Sequence, residues 1–146
     1  FDGWDTIRIR DIDGLDVNTI RFADHTDCIP DWYTPLLATS DRVTRSRSAD
    51  LKAFMAATAR GYRTAMARPQ AAADALLDAA PDLDRNLVER SARYLATRYA
   101  DDPARWGRQE AEVWRSFSSF LVDAGLIDEP IDVPAAWTNA YLAKAP

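Results

Sequence analysis

Lysine, histidine, cysteine and glycine are all scarce in this chain of 146 residues. The only lysines are Lys52 and Lys144, so the basic charge is carried by arginines, and these are mixed with acids rather than gathered into a patch. With a net charge of −5, non-specific attraction to a phosphate backbone is disfavoured and nucleic acid is not an expected partner. His25 is the single histidine, which excludes a multi-histidine metal site. Cys28 is the single cysteine, so neither an internal disulfide nor a cysteine-built zinc site can form. No glycine-rich loop of the phosphate-cradling type exists, and no apolar run approaches the length that spans a bilayer. No cofactor is expected.

What is present suits an ordered core: 47% of residues are hydrophobic and 10% aromatic. The length is that of one domain, able to bury roughly two-thirds of its unfolded surface. The chain opens on Phe1-Asp2-Gly3-Trp4-Asp5, in mid-element, with an aromatic and a carboxylate side by side. That opening carries the expectation that this is the C-terminal part of a longer protein, its first residues near a ligand site completed from elsewhere.

Thr6-Ile7-Arg8-Ile9-Arg10 alternates apolar and polar residues, the period of a half-buried strand, and Asp13-Gly14 is a turn signal. Val17 to Phe22 resumes the alternation, and Thr34 to Thr39 reads as a short buried strand that Pro35 confines to an edge or a start. From Ser48 the period becomes helical through Leu51, Phe54, Met55, Thr58, Tyr62 and Met66. Pro69 is placed to open a second helix that Pro81 ends, and Asp84 to cap a third bearing Leu87, Val88, Ser91, Tyr94, Leu95 and Tyr99. A fourth carries Val113, Phe117, Phe120 and Leu121 inward and stops at Gly125. A short last helix opens at Asp132-Val133-Pro134 and is expected to hold Trp137 and Tyr141. The fold class expected is α/β and helix-rich, a few strands followed by about five helices, with a sheet small enough to suggest missing strands.

Few residues could carry chemistry. His25 lies in a polar connection beside Asp24 and Asp27, either a general base or lone ligand, or a solvated loop residue. Asp24, Asp27 and Asp31 lack the ligand spacing and central glycine of a calcium loop. Phe54, Tyr62, Tyr94, Phe117 and Phe120 sit at helical spacing and read as core, with Trp106 and Trp114 pinning the third and fourth helices together. Trp4 differs. An indole face beside the Asp5 carboxylate is the equipment for a flat, nitrogen-rich heterocycle, which would stack while its exocyclic amine donates to the acid. The alternative is an indole that covers the sheet edge beside an exposed acid.

A family pattern runs through these residues. Ile29-Pro30-Asp31-Trp32-Tyr33-Thr34-Pro35, Leu51 to Tyr62, Pro69 to Ala73, Trp106-Gly107-Arg108-Gln109, Trp114, Gly125-Leu126-Ile127, Ile131-Asp132 and Thr138 to Leu142 follow, in order, segments of a solute-binding family that serves ABC importers. The chain resembles most the branch that binds thiamine-pyrimidine precursors; nitrate and alkanesulfonate binders are more distant relatives. The resemblance implies a type II periplasmic-binding-protein fold, with residues 1–30 the end of the second lobe and return crossing and residues 31–146 the C-terminal part of the first lobe with its covering helices. It implies that Trp4 stacks on the pyrimidine, that Asp5 bonds the amine, and that Phe1 stands for a further aromatic of the site. Asp2, Gly3 and Cys28 depart from the family pattern, and Asp5 is one methylene shorter than the family's glutamate.

The same resemblance implies a non-enzymatic, extracytoplasmic or periplasmic protein, held at the membrane by an N-terminal signal or lipid anchor outside this sequence. Its partners would be an aminopyrimidine-like small molecule, the missing N-terminal lobe and an ABC permease, with association possible through exposed lobe surface. One alternative is a pyrimidine-precursor synthase, as in eukaryotic relatives. Another is a binder of nitrate- or sulfonate-type anions, which would need cationic or backbone donors converging on the site, whereas Arg8 and Arg10 are expected on a solvated face. A third is a helical interaction module with no small-molecule site.

Overall fold

A computed structural model describes residues 1–143. The expected α/β architecture is not what forms: among the described residues there is no strand, and the ordered elements are helices. Thr6 to Arg10, expected as a strand, lies inside a π-helix, Asp2–Ile12. Val17 to Ile20 has no regular structure and leads into a single 3₁₀ turn at Phe22–Asp24, while Thr34 to Thr39 is irregular. A strand is stable only when its N–H and C=O groups meet a neighbouring strand, and none is offered among the described residues. The first segment satisfies its backbone internally instead, through wide-turn bonds such as Asp13 N–H to Arg8 C=O at 2.9 Å. Gly3 and Ile7, four apart, are buried on one side of it, whereas Arg8 and Arg10 are exposed. The two other segments keep their apolar side chains in solvent, with Ile20 76% and Leu37 60% exposed.

The helices follow local signals. α1 (Asp41–Ser46) is capped by Ser40, whose Oγ accepts from Val43 N–H. α2 spans Ser48–Ala67, α3 spans Pro69–Ala79 with proline at its first position, and α4 spans Arg85–Ala96. Asp84 caps α4, its Oδ1 accepting from Leu87 N–H at 3.1 Å. α5 (Ala111–Asp123) runs out at Gly125, whose φ of 66° is a left-handed value that a residue with a Cβ resists. α6 is one short turn, Val133–Ala136, and both Trp137 and Tyr141 lie beyond its end rather than on it.

The chain divides into two compact units. The first holds Phe1–Asn18 and Phe54–Gly107. Its core is the α3–α4 pair, where Ala73, Leu77 and Val88 are buried with Trp4, Leu83 and Ala92 packed against them. On α3 the buried pair is spaced i, i+4; on α4 Leu87, Val88 and Ser91 mark the buried stripe. The π-helix packs on α4. Tyr62 of α2 stacks on Trp106 at 4.3 Å between ring centroids and meets Tyr99 edge-on at 4.9 Å. Trp106 thus engages α2 instead of pinning α4 to α5, and Phe54, expected in the core, is 54% exposed.

The second unit holds Thr19–Ala53 and Arg108–Leu142. Trp32 stacks on Phe117 at 5.5 Å, Phe117 on Phe120 at 5.9 Å, and Tyr33 leans on Trp114. Polar bonds close its loops. Asn139 exchanges two hydrogen bonds with the backbone of Gln109, Trp114 Nε1 donates to Gln109 Oε1 at 2.8 Å, and Glu110 N–H donates to Tyr33 Oη at 2.7 Å. Ser118, nearly inaccessible, accepts from Ile131 N–H at 3.0 Å.

Candidate ligand-binding site

The three residues expected at a ligand site share the first turn of the chain. Trp4 and Asp5 N–H groups both donate to Phe1 C=O, at 3.1 and 2.8 Å, which winds the turn. Phe1 is 93% exposed. The Asp5 carboxylate, also exposed, accepts from the terminal Phe1 nitrogen at 2.6 Å. Trp4 points to a different use. Its indole is half-buried and packs against the Ala73–Leu77–Val88 cluster, so at least part of it serves as core covering. The turn therefore pairs Phe1 with Asp5 on its open side and anchors itself through Trp4.

The turn is seated on the C-terminal half of α4. Gly3 lies so close that a Cβ there would stand 2.6 Å from Leu95 Cδ2 and 3.2 Å from Tyr94 Cδ1. Tyr94 Oη donates to Asp2 Oδ2 at 2.8 Å. The Arg98 guanidinium lies 3.7 Å from the centre of the Tyr94 ring and donates to Tyr94 C=O at 2.9 Å. Nothing local in the sequence announced this arrangement, because 92 residues separate Asp2 from Tyr94. The departures of Asp2 and Gly3 from the family pattern were its one visible trace.

Arg10 pairs with Asp11 at 2.9 Å, and that hydrogen bond, with the charge of the same carboxylate, raises its pKa. Arg8 and Arg10 are both exposed, on the solvated face expected for them. His25 lies in a turn in which its carbonyl accepts from Cys28 and Ile29 N–H, and Cys28 is exposed. Asp31 Oδ1 accepts from the neighbouring Trp32 N–H. Among the described residues, no group of three or more His, Cys, Asp or Glu side chains could hold a metal ion. Two surface hollows lie elsewhere. One, of about 710 Å³, is lined by residues 127–132 with Ala135 and Ala136, and another, of about 680 Å³, includes Arg63, Met66, Thr97 and Asp101.

Residues 1–72, just short of half the chain, match the family described as NMT1/THI5 like. A comparison with curated proteins gave no match. That match supports a solute-binding or related role, with a small molecule as ligand.

Proposed function

We propose that this chain is part of the extracytoplasmic solute-binding component of an ABC importer, and that its ligand is a small aminopyrimidine of the thiamine-precursor type. The observation that carries the reading is the Asp5 carboxylate, exposed in the same turn that holds Phe1 and Trp4. All three residues fall inside the family-matched segment. A weakly basic heterocycle needs an aromatic surface and a charge-assisted acceptor for its amine, and these residues supply both. Nitrate or a sulfonate would need donors in place of Asp5, and of the two exposed arginines that follow it, Arg10 is engaged by Asp11.

In this reading an upstream lobe completes the cleft, closure of the lobes on the ligand is the signal to a permease, and a signal or lipid anchor holds the protein outside the cytoplasm. The test is calorimetric titration of the full-length natural polypeptide with aminopyrimidine thiamine precursors, taurine and nitrate. Saturable binding of a pyrimidine, weakened about tenfold or more by Asp5→Asn, is the expected result. Trp4→Ala is expected to abolish it. Binding of taurine or nitrate alone would replace the ligand class, and binding of none of the three would sink the reading.

A further inference from the structure

The first turn carries two carboxylates, and the structure treats them differently. Asp5 is open to solvent, while Asp2 is turned toward α4, where it accepts the part-buried hydrogen bond from Tyr94 Oη at 2.8 Å. We propose that Tyr94 is a positioning residue for the ligand site: by engaging Asp2 it fixes the Phe1–Asp5 turn and leaves Asp5 as the carboxylate presented to the ligand's amine. The inference rests on the reading of Phe1, Trp4 and Asp5 given above.

Three contacts carry it. Tyr94 is itself immobilised, because Arg98 covers its ring at 3.7 Å and also donates to its carbonyl at 2.9 Å and to Thr97 Oγ1 at 3.1 Å. The backbone of the turn has no slack above it, since even a methyl group on Gly3 would collide with Leu95 at 2.6 Å. The Tyr94 hydroxyl donates to the Asp2 carboxyl group at 2.8 Å, the ordinary length of an O–H···O bond, in a part-buried setting. A ligand amine reaching this turn meets one carboxylate held against α4 and another, Asp5, that is exposed and bonded, among the described residues, only to the terminal Phe1 nitrogen. Geometry of this sort governs affinity, because a hydrogen bond weakens steeply as its angle is lost.

The experiment compares two ligands on the full-length natural polypeptide: an aminopyrimidine thiamine precursor and the same ring lacking the amine. The preference for the amine is the readout, because a general loss of structure would weaken both ligands alike. Tyr94→Phe keeps the ring that Arg98 and Gly3 rest against and removes only the hydroxyl. It is expected to lower affinity for the amino compound about tenfold and to leave the des-amino compound unchanged. Asp2→Asn approaches the same bond from the other partner and is expected to give the same selective loss, which keeps the test open should Tyr94→Phe fold poorly. If Asp5→Asn erases the preference for the amine while Asp2→Asn and Tyr94→Phe preserve it, the positioning role is overturned and the functional reading stands. If the unaltered protein shows no preference for the amine, both fall.

Discussion

Tyr99 shows how a single burial becomes a pH dependence. Removal from water, with a smaller contribution from Tyr62, raises its pKa above the ordinary 10.0. The folded protein then holds the phenolic proton more tightly than the unfolded chain does, so stability falls as pH rises above the unfolded value and is unaffected below it. Tyr99→Phe should accordingly lose less thermal stability than the parent between about pH 9 and about pH 11, measured by circular dichroism melts. Gly3 makes a steric case. Gly3→Ala should cost on the order of 1 kcal/mol, because Leu95 and Tyr94 must both give way, and denaturant titration should show part of it recovered in a Gly3→Ala, Leu95→Ala double variant relative to Leu95→Ala alone. Full additivity of the two changes would mean that the turn does not sit on Leu95.

At the scale of elements, α4 matters most, because it packs against both α3 and the π-helix. Its N-terminus is held by Asp84, and Asp84→Ala should destabilise the protein by about 1 kcal/mol in chemical denaturation. Leu87, 2% exposed, is a deeper test, with Leu87→Ala expected to cost about 2–5 kcal/mol in the same assay. Ends such as Pro69, Asp84 and Gly125 were legible in the sequence because each acts through its own backbone or its immediate neighbours. The expected strands were not realised for the opposite reason. Alternation at Ile7 and Ile9 says only that two faces differ, and a strand further requires a hydrogen-bonding neighbour, which the described residues do not supply. Of the two isoleucines, only Ile7 is buried, at 3% exposure, as a helical turn against α4 demands.

For the whole molecule, burial is unevenly shared. Ile7, Ala73, Leu77, Leu87, Val88 and Ser91 are buried in the first unit, against Ser118 and Val133 in the second. Amide hydrogen exchange should therefore be slowest in α3 and α4 and faster in α5, since opening free energy tracks buried apolar contact. Equal protection of the two units would contradict this. The exposed side chains of Phe1, Ile20, Leu36 and Leu37 predict a further property of the chain on its own: increasing association with concentration, followed by analytical ultracentrifugation.

The sequence by itself determined where α3, α4 and α5 stop or start, the solvated placement of Arg8 and Arg10, and the motif resemblance to a solute-binding family. Each of these is written in neighbouring residues. The family match over residues 1–72 agrees with the motifs at Ile29 to Pro35 and Leu51 to Tyr62, though not with the α/β fold they implied. Only the tertiary structure decided the remainder: that the opening segment is a π-helix, that Trp4 packs into the α3–α4 core while Asp5 stays open, and that Asp2 is claimed by Tyr94. Those outcomes depend on contacts across long stretches of chain, where packing and hydrogen bonding override the local pattern.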